Sequence, residues 1–114
     1  MTKVEFEMVK GDLLPAIVAT LKDTDGTVIT LTGASVSFHL KKGATILVDS
    51  ACTINSALGG IVQYDWVTGD TDVTIDLDGK AVCEGEFEVT FAGGKKQTFP
   101  TKPEFFVIFR EEVA

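Results

Sequence analysis

Alternation of apolar and polar residues with a period of two runs through most of the chain. The clearest case is residues 34–40, where every second side chain is apolar. Successive side chains of a β-strand point to opposite faces of the sheet, so this pattern predicts a strand with one buried face. Similar alternation covers residues 4–8, 17–21, 46–54, 61–66 and 83–91. No window of helical length carries an apolar stripe that alternation does not explain better, and we expect no long helix.

Turn sequences rich in glycine and aspartate separate these runs. They occur at residues 10–12, 23–26, 32–33, 42–43, 59–60, 68–70, 78–79 and 93–94. Glycine supplies positive φ without steric cost, and aspartate bonds to its own backbone in turns. The turn at 93–94 predicts a hairpin over 91–99, and alternation over 73–77 predicts a further short strand between turns. Eight or nine such strands indicate an all-β antiparallel sandwich or small barrel.

The last run, residues 105–109, is apolar on both faces of its predicted strand. Either it is a central strand covered within one domain, or its second face meets a partner. Residues 1–9 are expected to form an N-terminal strand or arm. An exposed apolar strip or free strand edge can join a neighbouring protein. The interface residues predicted on this basis are Val4, Phe6, Met8, Phe106 and Ile108.

Length and charge narrow the class of protein. The 114 residues are 45% hydrophobic and 24% charged, which fits a single globular domain over residues 1–114. The 17 acidic residues outnumber the 10 Lys and Arg residues, giving a net charge of −7. This balance disfavours binding to nucleic acid or an anionic membrane. The N-terminus has no apolar signal-peptide core, so we expect synthesis and folding in a cytoplasm.

Few residues of the sequence are candidates for catalysis or metal binding. His39 is the single histidine and falls on the polar side of its strand, where an exposed structural role is expected. Nucleophilic catalysis needs a base oriented by a third group. A zinc site needs three or four closely spaced His or Cys ligands, and two cysteines with one distant histidine do not supply them. We therefore expect no enzyme activity and no cofactor.

An aspartate-rich stretch follows the strand predicted over 61–66. Its carboxylates are Asp70, Asp72, Asp76 and Asp78. Oxygen ligands on a loop suit calcium, so a calcium site is one interpretation and a solvated turn is the other. The spacing does not match an EF-hand loop, and no glutamate closes it. The solvated turn is favoured, and no metal site is predicted.

Cys52, Trp66 and Cys83 occur in the order seen in antibody domains. The two cysteines are only 31 residues apart (83 − 52), about half the span of an antibody disulfide. Both fall on the apolar side of their strands, where unreactive core thiols also lie. Cytoplasmic folding disfavours a disulfide, so two buried free thiols are predicted.

The order of several short motifs resembles a known family. The motifs occupy residues 10–12, 21–23, 31–40, 60–66, 69–71, 85–91 and 97–100. In this order and spacing they resemble the immunoglobulin-like domain at the N-terminus of phage baseplate upper proteins, which also exists as short free-standing phage proteins. The resemblance runs from about Lys10 to Phe109. Residues 73–83 are longer than the family pattern, and residues 1–9 lie outside it.

The resemblance implies an antiparallel immunoglobulin-like β-sandwich of about 7–9 strands. It implies a non-enzymatic structural protein of the tailed-phage virion, in the baseplate, tail or neck, assembled in the cytoplasm of a bacterial host. Such a protein would dock on other phage structural proteins and form a homo-oligomer, without binding nucleic acid or membrane. The alternative is an immunoglobulin-like receptor- or carbohydrate-binding module on the tail. That role would need exposed aromatic side chains in a shallow groove, and Tyr64 and Trp66 both fall on the apolar side of their strand.

Overall fold

Nine β-strands make up the regular structure of the described residues. The computed structural model describes residues 4–99 and 105–111. The strands are β1 (Val4–Val9), β2 (Ile17–Thr20), β3 (Ser35–Lys42), β4 (Thr45–Ala51), β5 (Thr53–Ser56), β6 (Ile61–Tyr64), β7 (Lys80–Thr90), β8 (Lys96–Phe99) and β9 (Phe105–Arg110). Within these two ranges no helix occurs, as the alternation predicted.

The strands form two sheets. The larger sheet has the order β1-β9-β7-β3-β4, with β8 also paired to β7, and the smaller sheet has the order β2-β6-β5. The orders β9-β7-β3 and β2-β6-β5 correspond to strands G-F-C and B-E-D of an immunoglobulin-like sandwich. The predicted all-β sandwich is thus confirmed. It departs from a fully antiparallel arrangement at one place, because β1 runs parallel to β9.

The alternating pattern determines which side chains form the core. In β3 the burial alternates from Val36 to Leu40, and β7 repeats the pattern over eleven residues. These two strands pair antiparallel, with Phe38 opposite Phe87, so their buried side chains share one face of the larger sheet. The sequence pattern therefore predicted both the strands and the face that each of them buries.

Aromatic side chains join the two sheets at the centre of this core. The fully buried ring of Phe38 lies 4.9 Å from Tyr64 of β6, between ring centroids, and 5.8 Å from Trp66. The Trp66 ring in turn lies 5.9 Å from Phe109 of β9. Tilted and edge-on aromatic pairs of this kind add about 0.5–1.5 kcal/mol each beyond the burial of apolar area.

Of two local predictions, one is confirmed and the other is wrong. The predicted hairpin is confirmed: β7 and β8 pair antiparallel, and the Phe91 N–H donates to the Lys95 carbonyl at 2.8 Å. The strand predicted over residues 73–77 is wrong, because this segment is irregular. Val73 is buried in the core, whereas Leu77 is fully exposed beside a turn in which the Gly79 N–H donates to the Asp76 carbonyl at 3.0 Å. The segment connects the two sheets, so its alternation does not reflect pairing with a neighbouring strand.

The two cysteines are free thiols, as predicted. Cys83 is fully buried on β7, while Cys52, between β4 and β5, is half-buried and so lies less deeply than expected. Burial raises the pKa of Cys52 to about 12 and that of Cys83 to about 11, where the positive charge of Lys42 opposes the shift. Strand β2 carries no cysteine, so the inter-sheet disulfide of antibody domains has no counterpart here.

Gly60, just before β6, provides a test of how tightly the sandwich is packed. Its φ is +64°, and a Cβ atom there would lie 2.6 Å from the Ile29 carbonyl oxygen. A left-handed conformation costs an alanine roughly 1–2 kcal/mol, and the clash with backbone adds to this. We expect Gly60→Ala to lower the free energy of unfolding by more than about 2 kcal/mol in urea titrations.

Gly69→Ala is the matched control. Gly69 also has a positive φ, of +98°, but no atom lies within 4 Å of a Cβ added there. Gly69→Ala should therefore lower the free energy of unfolding only by the cost of the left-handed backbone conformation. Equal destabilisation by the two substitutions would show that the backbone around Gly60 moves aside.

Candidate docking site

Strand β1 is integrated into the larger sheet along its whole length. It pairs in register with β9, from Val4 opposite Phe105 to Val9 opposite Arg110. The Arg110 Nε donates to the Glu7 Oε1 at 2.7 Å across this pair. Beyond the strand, the Thr71 hydroxyl donates to the Asp12 carbonyl at 2.8 Å, so the end of β1 is also tied to the segment that follows β6.

Of the residues predicted for an interface on β1, Met8 belongs to the core, with 3% of its surface exposed. It therefore offers no free surface to a partner. Phe6 is half-buried and packs against the core. Val4 begins the strand, and its side chain lies outside the described part of the chain.

The two apolar faces of β9 are largely covered within the fold. Val107 and Phe109 are fully buried between the sheets. On the opposite face Ile108 is only 7% exposed, and Phe106 is half-buried. Of the two interpretations of this strand, a central strand covered on both faces fits the structure, and Ile108 offers little surface for docking.

The four aspartates have separate partners in the structure. In the described residues, no three His, Cys, Asp or Glu side chains lie close enough to hold a metal ion. Asp70 accepts hydrogen bonds from the Tyr64 hydroxyl and from the Val67 N–H, the latter at 2.9 Å. Asp76 pairs with Lys42 at 2.8 Å.

The remaining two aspartates also have other contacts. Asp78 accepts a hydrogen bond from the Lys80 N–H at 3.3 Å, and the Asp72 carboxylate lies 3.9 Å from the Lys10 ammonium. The contacts of this segment are thus turn hydrogen bonds and ion pairs.

His39 lies in a row of polar side chains on the outer face of the larger sheet. Its Nε2 lies 3.1 Å from the Asp49 carboxylate on β4, and its Nδ1 lies 3.2 Å from the Glu86 carboxylate on β7. The imidazole therefore bridges three adjacent strands. The depression beside it has a volume of about 210 Å³ and is lined by charged side chains together with Ile46 and Leu40.

A larger groove opens on the side of the sandwich where β2 faces β1, β8 and β9. Its volume is about 490 Å³, which is within the range of sites that bind ligands or peptides. Buried side chains from both sheets form an apolar floor: Phe87, Phe99 and Phe105 of the larger sheet and Ile17 and Leu21 on the β2 side. We call this feature the β2 groove.

Among the described strands, none pairs with the backbone along one wall of the β2 groove. Strand β2 is the outer strand of the smaller sheet, and no other described strand pairs with its outer edge. The Leu21 N–H donates to the Gly60 carbonyl at 2.8 Å, on the β6 side. Backbone groups alternate in direction along an antiparallel ladder, so those of Val18 and Thr20 face away from β6. The groove therefore combines an apolar floor with free backbone donors and acceptors.

Among the residues that the structure describes, three charged ones line the β2 groove. Glu5 comes from β1, and Lys22 and Asp23 follow β2. All three are exposed, and together they carry a net charge of −1. A ligand with a positive charge beside its apolar groups would match this arrangement.

Sequence reasoning did not find the β2 groove. The alternation over residues 17–21 predicted the strand, but it could not show which of its two edges is paired. The one local signal is Pro15, two residues before β2. Proline has no N–H for a ladder and is confined to edge strands or strand starts, so its position is consistent with an edge strand.

Comparison with known proteins adds no assignment. A scan against models of protein families gave no match, and a search among curated proteins found no relative. The resemblance to the phage baseplate domain therefore stays a prediction. In residues 4–99 and 105–111, no helix has the length and apolar character needed to cross a membrane.

The packing of β1 gives a direct test of whether this strand contributes to the stability of the core. Removing a buried methionine side chain leaves a cavity and costs about 2–5 kcal/mol. We expect Met8→Ala to lower the free energy of unfolding by about this amount in urea titrations. Glu7→Ala on the same strand removes only the exposed pair with Arg110 and should cost less than about 1 kcal/mol. A Met8→Ala variant as stable as the parent would show that β1 is dispensable for the core.

Proposed function

We propose that this chain is a non-enzymatic structural protein of a tailed-phage virion, acting in the baseplate, tail or neck. It docks on other structural proteins and associates with itself. The sequence resemblance motivates the virion assignment, and the immunoglobulin-like strand order agrees with the fold that the resemblance implies. The observation that carries docking as the mode of action is the β2 groove with its unpaired strand edge.

The physical basis for docking is the cost of leaving a strand edge unpaired. A free edge presents a row of N–H and C=O groups that another chain can complete. Main-chain hydrogen bonds then supply affinity, and pockets beside the edge select the side chains of the partner. Both elements are available at β2. The net charge of −7 limits non-specific association through general repulsion.

A receptor- or carbohydrate-binding role lacks a specific observation in its favour. Such sites use exposed aromatic rings, and the two non-phenylalanine aromatics are core residues here. Trp66 is 4% exposed and donates from its ring N–H to the Pro15 carbonyl at 3.1 Å. Tyr64 is 2% exposed, and its hydroxyl donates to Asp70.

The test is whether the chain is part of the particle. Mass spectrometry of purified virions of the phage that encodes it should detect the chain in stoichiometric amounts. Static light scattering of the isolated protein should give a mass that is a defined multiple of 12.2 kDa. A strict monomer together with absence from purified virions would contradict the proposal.

A further inference from the structure

We infer that the β2 groove binds an extended segment of another protein, which adds a strand to the outer edge of β2. The segment has alternating apolar side chains and a positive charge. This inference rests on the proposed docking function and specifies its site and the chemistry of the partner.

The unpaired backbone determines the conformation of the partner. Val18 and Thr20 direct their N–H and C=O groups toward the groove side of β2, and only another extended backbone can bond to both residues in register. A compact apolar molecule could fill the groove but would leave these groups unpaired. The edge therefore favours a peptide over a small apolar ligand.

The floor of the groove determines the pattern of side chains. In an added strand every second side chain points to the core side of the sheet. On that side lie the rings of Phe99 and Phe105, which come from the opposite sheet. Apolar residues at alternate positions of the added segment would cover these rings, and the intervening positions would face solvent beside Val18, which is 58% exposed.

Charge determines which kind of chain fits. Among the described residues at the groove, Glu5 and Asp23 outnumber Lys22, and the whole chain carries −7. A second copy would bring the same excess of negative charge, so a basic segment from a different protein is favoured.

Two synthetic peptides provide the probe. In one, valine alternates with lysine, and in the other, valine alternates with glutamate. We expect the lysine peptide to bind more tightly and to shift the backbone amide resonances of Val18 and Thr20 in NMR titrations. A lysine peptide N-methylated along one edge loses its backbone donors and should bind about tenfold more weakly, the effect of about one hydrogen bond.

Val18→Pro is the first variant. In the described part of the chain the N–H of Val18 faces away from β6 and has no backbone acceptor, so proline there removes a donor that only the partner uses. It should weaken binding of the lysine peptide about tenfold. Ala51→Pro is the matched control, because Ala51 lies on the outer strand β4, and the bond from the Cys52 N–H to Val36 places the N–H of Ala51 on the free side. This variant should bind like the parent.

A charge-reversal variant keeps the test decisive if Val18→Pro does not fold. Glu5→Lys with Asp23→Lys changes two exposed side chains without touching the floor. It should weaken the lysine peptide about three- to tenfold and strengthen the glutamate peptide, with both effects reduced in high salt.

Several results would overturn the inference. These are no binding of the lysine peptide, equal binding by the folded Val18→Pro variant, and no effect of charge reversal. Binding that leaves the Val18 and Thr20 amides unshifted would assign the groove to an apolar ligand instead, and tighter binding of the glutamate peptide would reverse the charge argument. If the chain occurs in virions but the lysine peptide does not bind, this inference fails while the proposed function stands. If the peptide binds but the chain is absent from virions, the proposed function fails alone.

Discussion

Contact between the two sheets through the Phe38 ring is the interaction on which the rest of the sandwich depends. Phe38 belongs to β3 of the larger sheet and contacts Tyr64 and Trp66 on the side of the smaller sheet. With no disulfide joining the sheets, apolar and aromatic packing holds them together. Truncating a buried aromatic side chain typically costs about 3–5 kcal/mol, a large fraction of the 5–15 kcal/mol that stabilises a domain. Substitution at Phe38 would therefore affect both sheets at once.

The two sheets differ in size because the first strand joins the larger one. Because β1 pairs with β9, it extends the larger sheet and leaves the smaller sheet with three strands. Among the described strands, β2 has a partner on one edge only, and the space beside its other edge is bounded by phenylalanine rings of the larger sheet. The same parallel pair that buries Met8 thus leaves the groove open.

The sequence predicted what depends on local pattern and missed what depends on distant pairing. Alternation identified β3 and its buried face, and Gly94 with its neighbours identified the hairpin between β7 and β8. The strand predicted from the same pattern over residues 73–77 was wrong, because these residues pair with no described strand. The sequence also suggested four aspartates as one candidate site, whereas the fold pairs two of them with Lys10 and Lys42. The β2 groove joins residues as far apart in sequence as Glu5 and Phe105. A local sequence pattern carries no information about contacts over such a distance.

Amide hydrogen exchange along β2, measured by NMR, tests the free edge most directly. Residues whose N–H groups bond to β6 exchange only when the sheet opens, whereas those on an unpaired edge exchange in the folded state. We predict slow exchange at Ala19 and Leu21 and fast exchange at Val18 and Thr20, in strict alternation. Equal protection of all four amides would contradict it, because another segment would then already cover the edge and the groove would be closed to a partner.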